Sequence, residues 1–254
     1  MWFINELNTN HIFSNPLVQK TFPRYLKILQ NQTFARFLIA KQFEIDPCIL
    51  KIDEEENLWK KYTQIASEFR EKVRSFDIGV KVKEFNSPNY LDLKIKIASL
   101  LENPCRLCEK KCARNRSEGE VGYCLVSEIG SVASAFLHYG EEPVLVPSGT
   151  IFFNGCTFRC VFCQNWDIAQ NKYLTNDNLV QNLTITEKSL AKKGARNLNY
   201  VGGDPTPNLK QILQSWINLN VNITQLFNSN QFLSLYGMKL IENIFDFWLP
   251  DFKY

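Results

Sequence analysis

Thr150-Ile-Phe-Phe-Asn-Gly-Cys156-Thr-Phe-Arg-Cys160-Val-Phe-Cys163-Gln-Asn-Trp-Asp167 is the stretch on which both fold and chemistry turn. Its first four residues are β-branched or aromatic and run into Asn-Gly, the pattern of a strand entering a turn. Three cysteines follow at once. A short loop with three thiols can bring all its sulfurs around one body, and thiolates favour soft metals and iron-sulfur clusters. A tetrahedral zinc site asks for four protein ligands, and no histidine or fourth cysteine lies nearby in sequence. Three thiolates on a four-iron cluster leave one iron open to a further ligand. Simple burial as three small hydrophobes would not explain why the cysteines share one loop.

Downstream, the rhythm of this stretch recurs. Leu198–Val201 precedes Gly-Gly-Asp, Val221–Phe227 precedes Asn-Ser-Asn, and Phe245–Leu249 precedes Pro-Asp-Phe-Lys. Helical segments are expected between these strands, near 178–193, 207–219 and 232–243. Alternation of this kind predicts parallel strands joined by helical crossovers, with chemistry gathered where the strands end. Upstream, residues 1–104 read as a mainly helical extension. One helix is expected over 24–43, a second over 58–76 ending before Gly79, and a third over 91–101. Residues 105–147 form a cysteine-rich segment and 148–254 the α/β unit.

Cys-x3-Cys-x-aromatic-Cys after the first strand of an α/β unit resembles the radical S-adenosylmethionine superfamily. Together with Val201-Gly-Gly-Asp-Pro-Thr206 and Leu249-Pro-Asp-Phe-Lys-Tyr254, the stretch Asn154–Asp167 is similar to the branch related to pyruvate formate-lyase activating enzymes. The resemblance covers about residues 104–254 and is absent from the first hundred. It implies that Cys156, Cys160 and Cys163 hold a [4Fe-4S] cluster whose open iron is chelated by S-adenosylmethionine. It also implies that Phe162 lies against the adenine with Gln164 beside it. Gly202, Gly203 and Asp204 match a Gly-Gly-Glu segment whose exposed backbone receives the methionine amino group; the shorter Asp204 departs from the usual Glu. Asp251, Phe252 and Lys253 match a cofactor-contacting Asp-Leu-Lys segment. The implied reaction is reductive cleavage of S-adenosylmethionine to a 5′-deoxyadenosyl radical that abstracts hydrogen, in this branch from a partner enzyme. An electron donor and a protein substrate are therefore the expected partners. Such enzymes use about six strand-helix units, and only four strands are counted here. The expected fold is thus a partial (β/α) barrel truncated after the fourth strand, with an exposed edge and low solubility alone.

A second group, Cys105-Arg-Leu-Cys108-Glu-Lys-Lys-Cys112 and then Cys124, could supply four sulfurs to one zinc ion or to a second cluster, or serve as redox-active thiols. Asn228-Ser229-Asn230 is a weaker candidate for the cofactor pocket, with a solvated turn as the competing reading. His138 reads as structural, in a loop-like stretch, and Cys48 as an incidental thiol. Twenty-nine Lys+Arg against twenty-six Asp+Glu give a net charge of +3. That charge is too small to imply nucleic acid, despite the basic residues between Cys105 and Arg116. No apolar run approaches a membrane span and the N-terminus lacks a secretory signal, so a soluble cytoplasmic protein is expected. The competing class is a non-catalytic zinc-binding interaction protein in which both cysteine groups are structural.

Overall fold

The structure, a computed structural model, describes residues 11–76, 85, 87–170 and 179–253. The expected Gly79 terminator and the first residue of the expected 178–193 helix lie outside the described residues. Four strands run as the sequence pattern demands: β2 (Ser148–Phe153), β3 (Asn197–Gly202), β4 (Thr224–Ser229) and β5 (Phe247–Pro250), all parallel. A strand that sequence reasoning missed, β1 (Val132–His138), pairs antiparallel with β2. Its run of small residues carries little of the alternation that marks a half-buried strand. His138 therefore ends a strand rather than sitting in a loop. The sheet order is β1-β2-β3-β4-β5, with β1 and β5 as edges. This is a partial (β/α) barrel whose sheet is not closed.

In the N-terminal third, α1 (Pro16–Thr21) precedes two helices, α2 (Pro23–Leu29) and α3 (Arg36–Ala40), where one continuous helix was expected over 24–43. The interruption has a cause. The carbonyl of Thr33 and the amides of Ala35 and Arg36 are bonded to the side chains of Asn222 and Asp246, at 2.9–3.0 Å, instead of to a helix ladder. β4 begins at Thr224 rather than at Val221, and Asn222 ahead of it is bonded through its side chain to Thr33 and Ala35. The long amphipathic α4 (Glu55–Phe76) buries Leu58, Tyr62, Ile65, Ala66, Phe69, Val73 and Phe76, the stripe read from sequence. Next, α5 (Tyr90–Leu101) starts at a reciprocal capping box, in which Asn89 accepts from the amides of Leu91 and Asp92 and Asp92 accepts from the amide of Asn89. A short α6 (Trp166–Ala169) follows the cysteine loop. The crossovers are α7 (Leu179–Lys192), α8 (Leu209–Ser215) and α9 (Leu235–Ile241). No described helix is long and apolar enough to cross a membrane.

One large apolar cluster unites the N-terminal helices with the sheet, running from Phe37, Phe69 and Leu93 to Ile151, Phe153, Leu198, Tyr200 and Phe227. Two buried lysines reinforce this union. Lys94 on α5 donates to the carbonyls of Lys239, Leu240 and Glu242 at the end of α9. Lys41, just after α3, donates to those of Trp216 and Leu219 after α8, each at 3.1 Å. Each ammonium thus satisfies carbonyls that a helix end leaves unpaired.

A buried charge network closes the other side. Glu102, at the end of α5, faces Arg116 of the cysteine-rich segment at 2.9 Å and Lys210 of α8 at 3.0 Å, and is fully buried. These are ion pairs without hydrogen-bond alignment, since neither Glu102 oxygen has a partner of that geometry. Removing one member of a buried pair leaves an uncompensated charge, at a cost of roughly 3–5 kcal/mol. Glu102→Gln should lower the denaturant midpoint by that equivalent with an unchanged slope, and an unaltered midpoint would refute the assigned role.

Candidate functional site

Residues following all four parallel strands line one cavity of about 350 Å³, within the range of small-molecule sites. The loop after β2 brings Cys156, Cys160 and Cys163 to its wall, together with Phe162 and Gln164. From β3 come Gly202, Gly203 and Asp204; from β4 come Asn228, Ser229 and Asn230; and after β5 come Asp251 and Lys253, which pair with each other. The structure thus gathers all but one of the residues expected around the cofactor. Phe252 is the exception: it does not line the cavity and is 85% exposed. Asn228 and Ser229 end β4 rather than forming a solvated turn. Sequence reasoning missed Phe158 and Asn165 in the lining; their only signal was adjacency to the cysteines.

Backbone contact fixes the loop. Gly155, at φ 83°, donates its amide to Ile168, and Cys156 donates to the carbonyl of Cys124 at 3.2 Å. A Cβ on Gly203 would overlap the Gly155 carbonyl. The glycines were expected to clear a path for ligand; here the space at Gly203 is instead filled by another stretch of main chain. Asp204 likewise serves the frame. Its buried carboxylate accepts from the Thr206 amide at 2.8 Å, the Ser229 hydroxyl at 2.9 Å and the Asn230 amide at 3.1 Å, joining the ends of β3 and β4. Burial pushes its carboxyl above the usual range, opposed by those hydrogen bonds.

Cys156 is buried, whereas Cys160 and Cys163 are half-exposed. Burial, with the nearby Asp204 carboxylate, pushes the Cys156 thiol up to about 12. Its sulfur faces two N–H groups, the Phe158 amide at 3.4 Å and the Asn230 side chain at 3.7 Å. Hydrogen bonds to sulfur are among the features that set an iron-sulfur potential. Among the described residues no group of three or more His, Cys, Asp or Glu side chains is arranged to hold a metal ion. A cubane cluster makes a different demand, because its thiolates bind separate corners of a body rather than meeting at one point. Three soft donors on the wall of one cavity, with two N–H groups facing the Cys156 sulfur, fit that demand.

The four upstream cysteines converge on a second, much smaller cavity behind the loop, also bordered by Lys110, Arg116, Thr157 and Thr206. Burial pushes Cys105 up to about 12, partly offset by Arg116, and Cys108 up to about 11. His138 lies apart from both cavities, its Nδ1 3.5 Å from Glu141.

A family model described as "Radical SAM superfamily" matches residues 150–231, from β2 to the end of the β4 turn. Residues 150–231 are a radical SAM superfamily domain. A protein of Methanocaldococcus jannaschii described as "Uncharacterized protein MJ0674" is 40% identical over 236 residues, 91% of this chain and 68% of that protein. That likeness reaches into the first hundred residues, which the family model does not cover. No solved structure matches the chain. Radical SAM membership implies a [4Fe-4S] cluster and S-adenosylmethionine, and the lining of the larger cavity is where this chain would hold them.

Gly203→Ala should push the radical SAM loop from its place, because the obstructing atoms are main chain. The expected result is loss of most iron and sulfide on anaerobic reconstitution with a native-like far-UV spectrum. Full loading would contradict the packing role.

Proposed function

We propose that this chain reductively cleaves S-adenosylmethionine and directs the resulting radical to hydrogen abstraction from a partner protein. The observation that carries the proposal is the single cavity shared by Cys156, Cys160 and Cys163 and the ends of β3, β4 and β5, in a radical SAM chain. When bound, the cluster and S-adenosylmethionine supply the electron transfer and the radical; the protein supplies binding, orientation and exclusion of water. Cys156, Cys160 and Cys163 would hold the cluster, while Asn230 and the Phe158 amide fix the Cys156 sulfur. Backbone around Gly202 and Gly203 and the polar side chains of Asn228, Asp251 and Lys253, which line the same cavity, would orient the cofactor.

A macromolecular partner is favoured by exposed apolar side chains within two residues in sequence of cavity-lining ones. Val161, Phe162, Trp166 and Phe252 are 100%, 56%, 61% and 85% exposed, and exposed aromatics are enriched at docking surfaces. An electron donor needs the same access to the cluster. The reading places the protein in a reducing cytoplasm, where the thiols stay available. The competing reading, in which both cysteine groups are structural zinc sites, does not account for the family match over 150–231.

The test is anaerobic. The cluster-loaded chain, given a low-potential reductant and S-adenosylmethionine, should release methionine and 5′-deoxyadenosine, and Cys160→Ala should abolish both. A fully loaded chain that forms no 5′-deoxyadenosine would overturn the proposal.

A further inference from the structure

The geometry points to a second metal site: Cys105, Cys108, Cys112 and Cys124 together bind one divalent transition-metal ion that braces the Cys156–Cys163 loop from behind. Two independent observations meet here. In sequence the four thiols have ligand-like spacing, Cys-x2-Cys-x3-Cys and then a distal cysteine. In space, chain reversals bring all four to the wall of one cavity. Cys105 and Ala113 exchange partners across one such reversal, with the Cys105 amide bonded to Arg114 at 2.9 Å and the Ala113 amide to Cys105 at 3.0 Å. Cys108 bridges to Leu233, just ahead of α9.

The number of donors points to the occupant. The cavity is small, about 10 Å³, the space of about one water-sized sphere, and four thiols around it match the tetrahedral set of a single ion. Its lining is thiol-rich, with Leu107, Pro207, Tyr123, Thr157 and Thr206 and two cations, Lys110 and the buried Arg116, beside the four thiols. Soft sulfur donors of this number select zinc or ferrous iron in tetrahedral geometry. The thiols do not yet stand as a finished cage; each sulfur turns about one side-chain bond, and binding, with release of the thiol protons, would draw them inward. The backbone around them is already committed. Lys111, Ala113 and Leu125, each next to a cysteine of the set, hold left-handed φ values of 41°, 53° and 65°, a strain that persists where surroundings over-determine it.

The consequence for the larger site is direct. The Cys124 carbonyl accepts the Cys156 amide, and Thr157 borders both the small cavity and the Asn230 side chain. An ion that fixes Cys124 therefore fixes the start of the cluster-bearing loop.

The experiment uses cobalt(II) as the probe on the full chain carrying C156S, C160S and C163S, which removes the thiols of the larger site. The expected result is tetrahedral cobalt-thiolate absorption that saturates at one equivalent and is displaced by zinc. It should disappear when C108S and C112S are added. Absence of a saturable one-equivalent signal would overturn the proposal, as would sulfide accompanying iron in the triple variant, which would mean a second cluster. Alkylation of the unaltered chain gives a second readout that does not depend on the folding of any variant. With metal bound, Cys105, Cys108, Cys112 and Cys124 should resist labelling far longer than the exposed Cys48, and a chelator should remove that protection. Protection that a chelator leaves unchanged would reflect burial alone and would also overturn the proposal. Neither readout depends on turnover at the larger site.

Discussion

Gly155 is held between two other pieces of main chain, and much of the molecule is arranged around that pinch. On one side a Cβ at Gly155 would strike the carbonyl of Cys124 and the side chain of Val126; on the other, a Cβ at Gly203 would strike the carbonyl of Gly155. Three segments far apart in sequence, the cysteine-rich segment, the loop after β2 and the end of β3, thus meet at backbone distance. Close-packed interiors transmit such constraints because they contain few voids into which a displaced chain can move. The three thiols of the loop inherit their position from this contact, since Cys156 is the next residue.

The surrounding architecture keeps those three segments in place. Asp204 ties the ends of β3 and β4, and its burial leaves little carboxylate to offer a ligand. Glu102 ties the cysteine-rich segment to α8 through Arg116 and Lys210. Lys41 and Lys94 fasten the N-terminal helices to the ends of α8 and α9. The first hundred residues therefore contribute core and caps to the barrel.

Much of this was legible in the sequence, for identifiable reasons. Short β-branched runs ending in polar residues announced β2 to β5, and the spacing of Leu58 to Phe76 announced α4, because burial imposes a period on apolar residues. The cysteine loop was legible because its donors are local. What escaped depends on distant partners. The break between α2 and α3 is set by Asn222 and Asp246, more than 180 residues away. Nothing local marks Lys41 and Lys94 for burial, and only the helix ends they cap explain it. Strand β1 escaped because Ala133, Ser134 and Ala135 carry too little side chain to show an alternation. Phe252 was expected in the pocket because Asp251-Phe252-Lys253 matches a cofactor-contacting Asp-Leu-Lys segment, yet only its two neighbours line the cavity.

The central claim is that the three thiols and the ends of β3 to β5 hold a cluster and S-adenosylmethionine in contact. Electron paramagnetic resonance of the reduced, cluster-loaded chain tests it most directly, because a ligand on the open iron changes the environment of the unpaired spin. The account predicts a clear change in the spectrum on adding S-adenosylmethionine to the unaltered chain. An identical spectrum with and without saturating S-adenosylmethionine would contradict it.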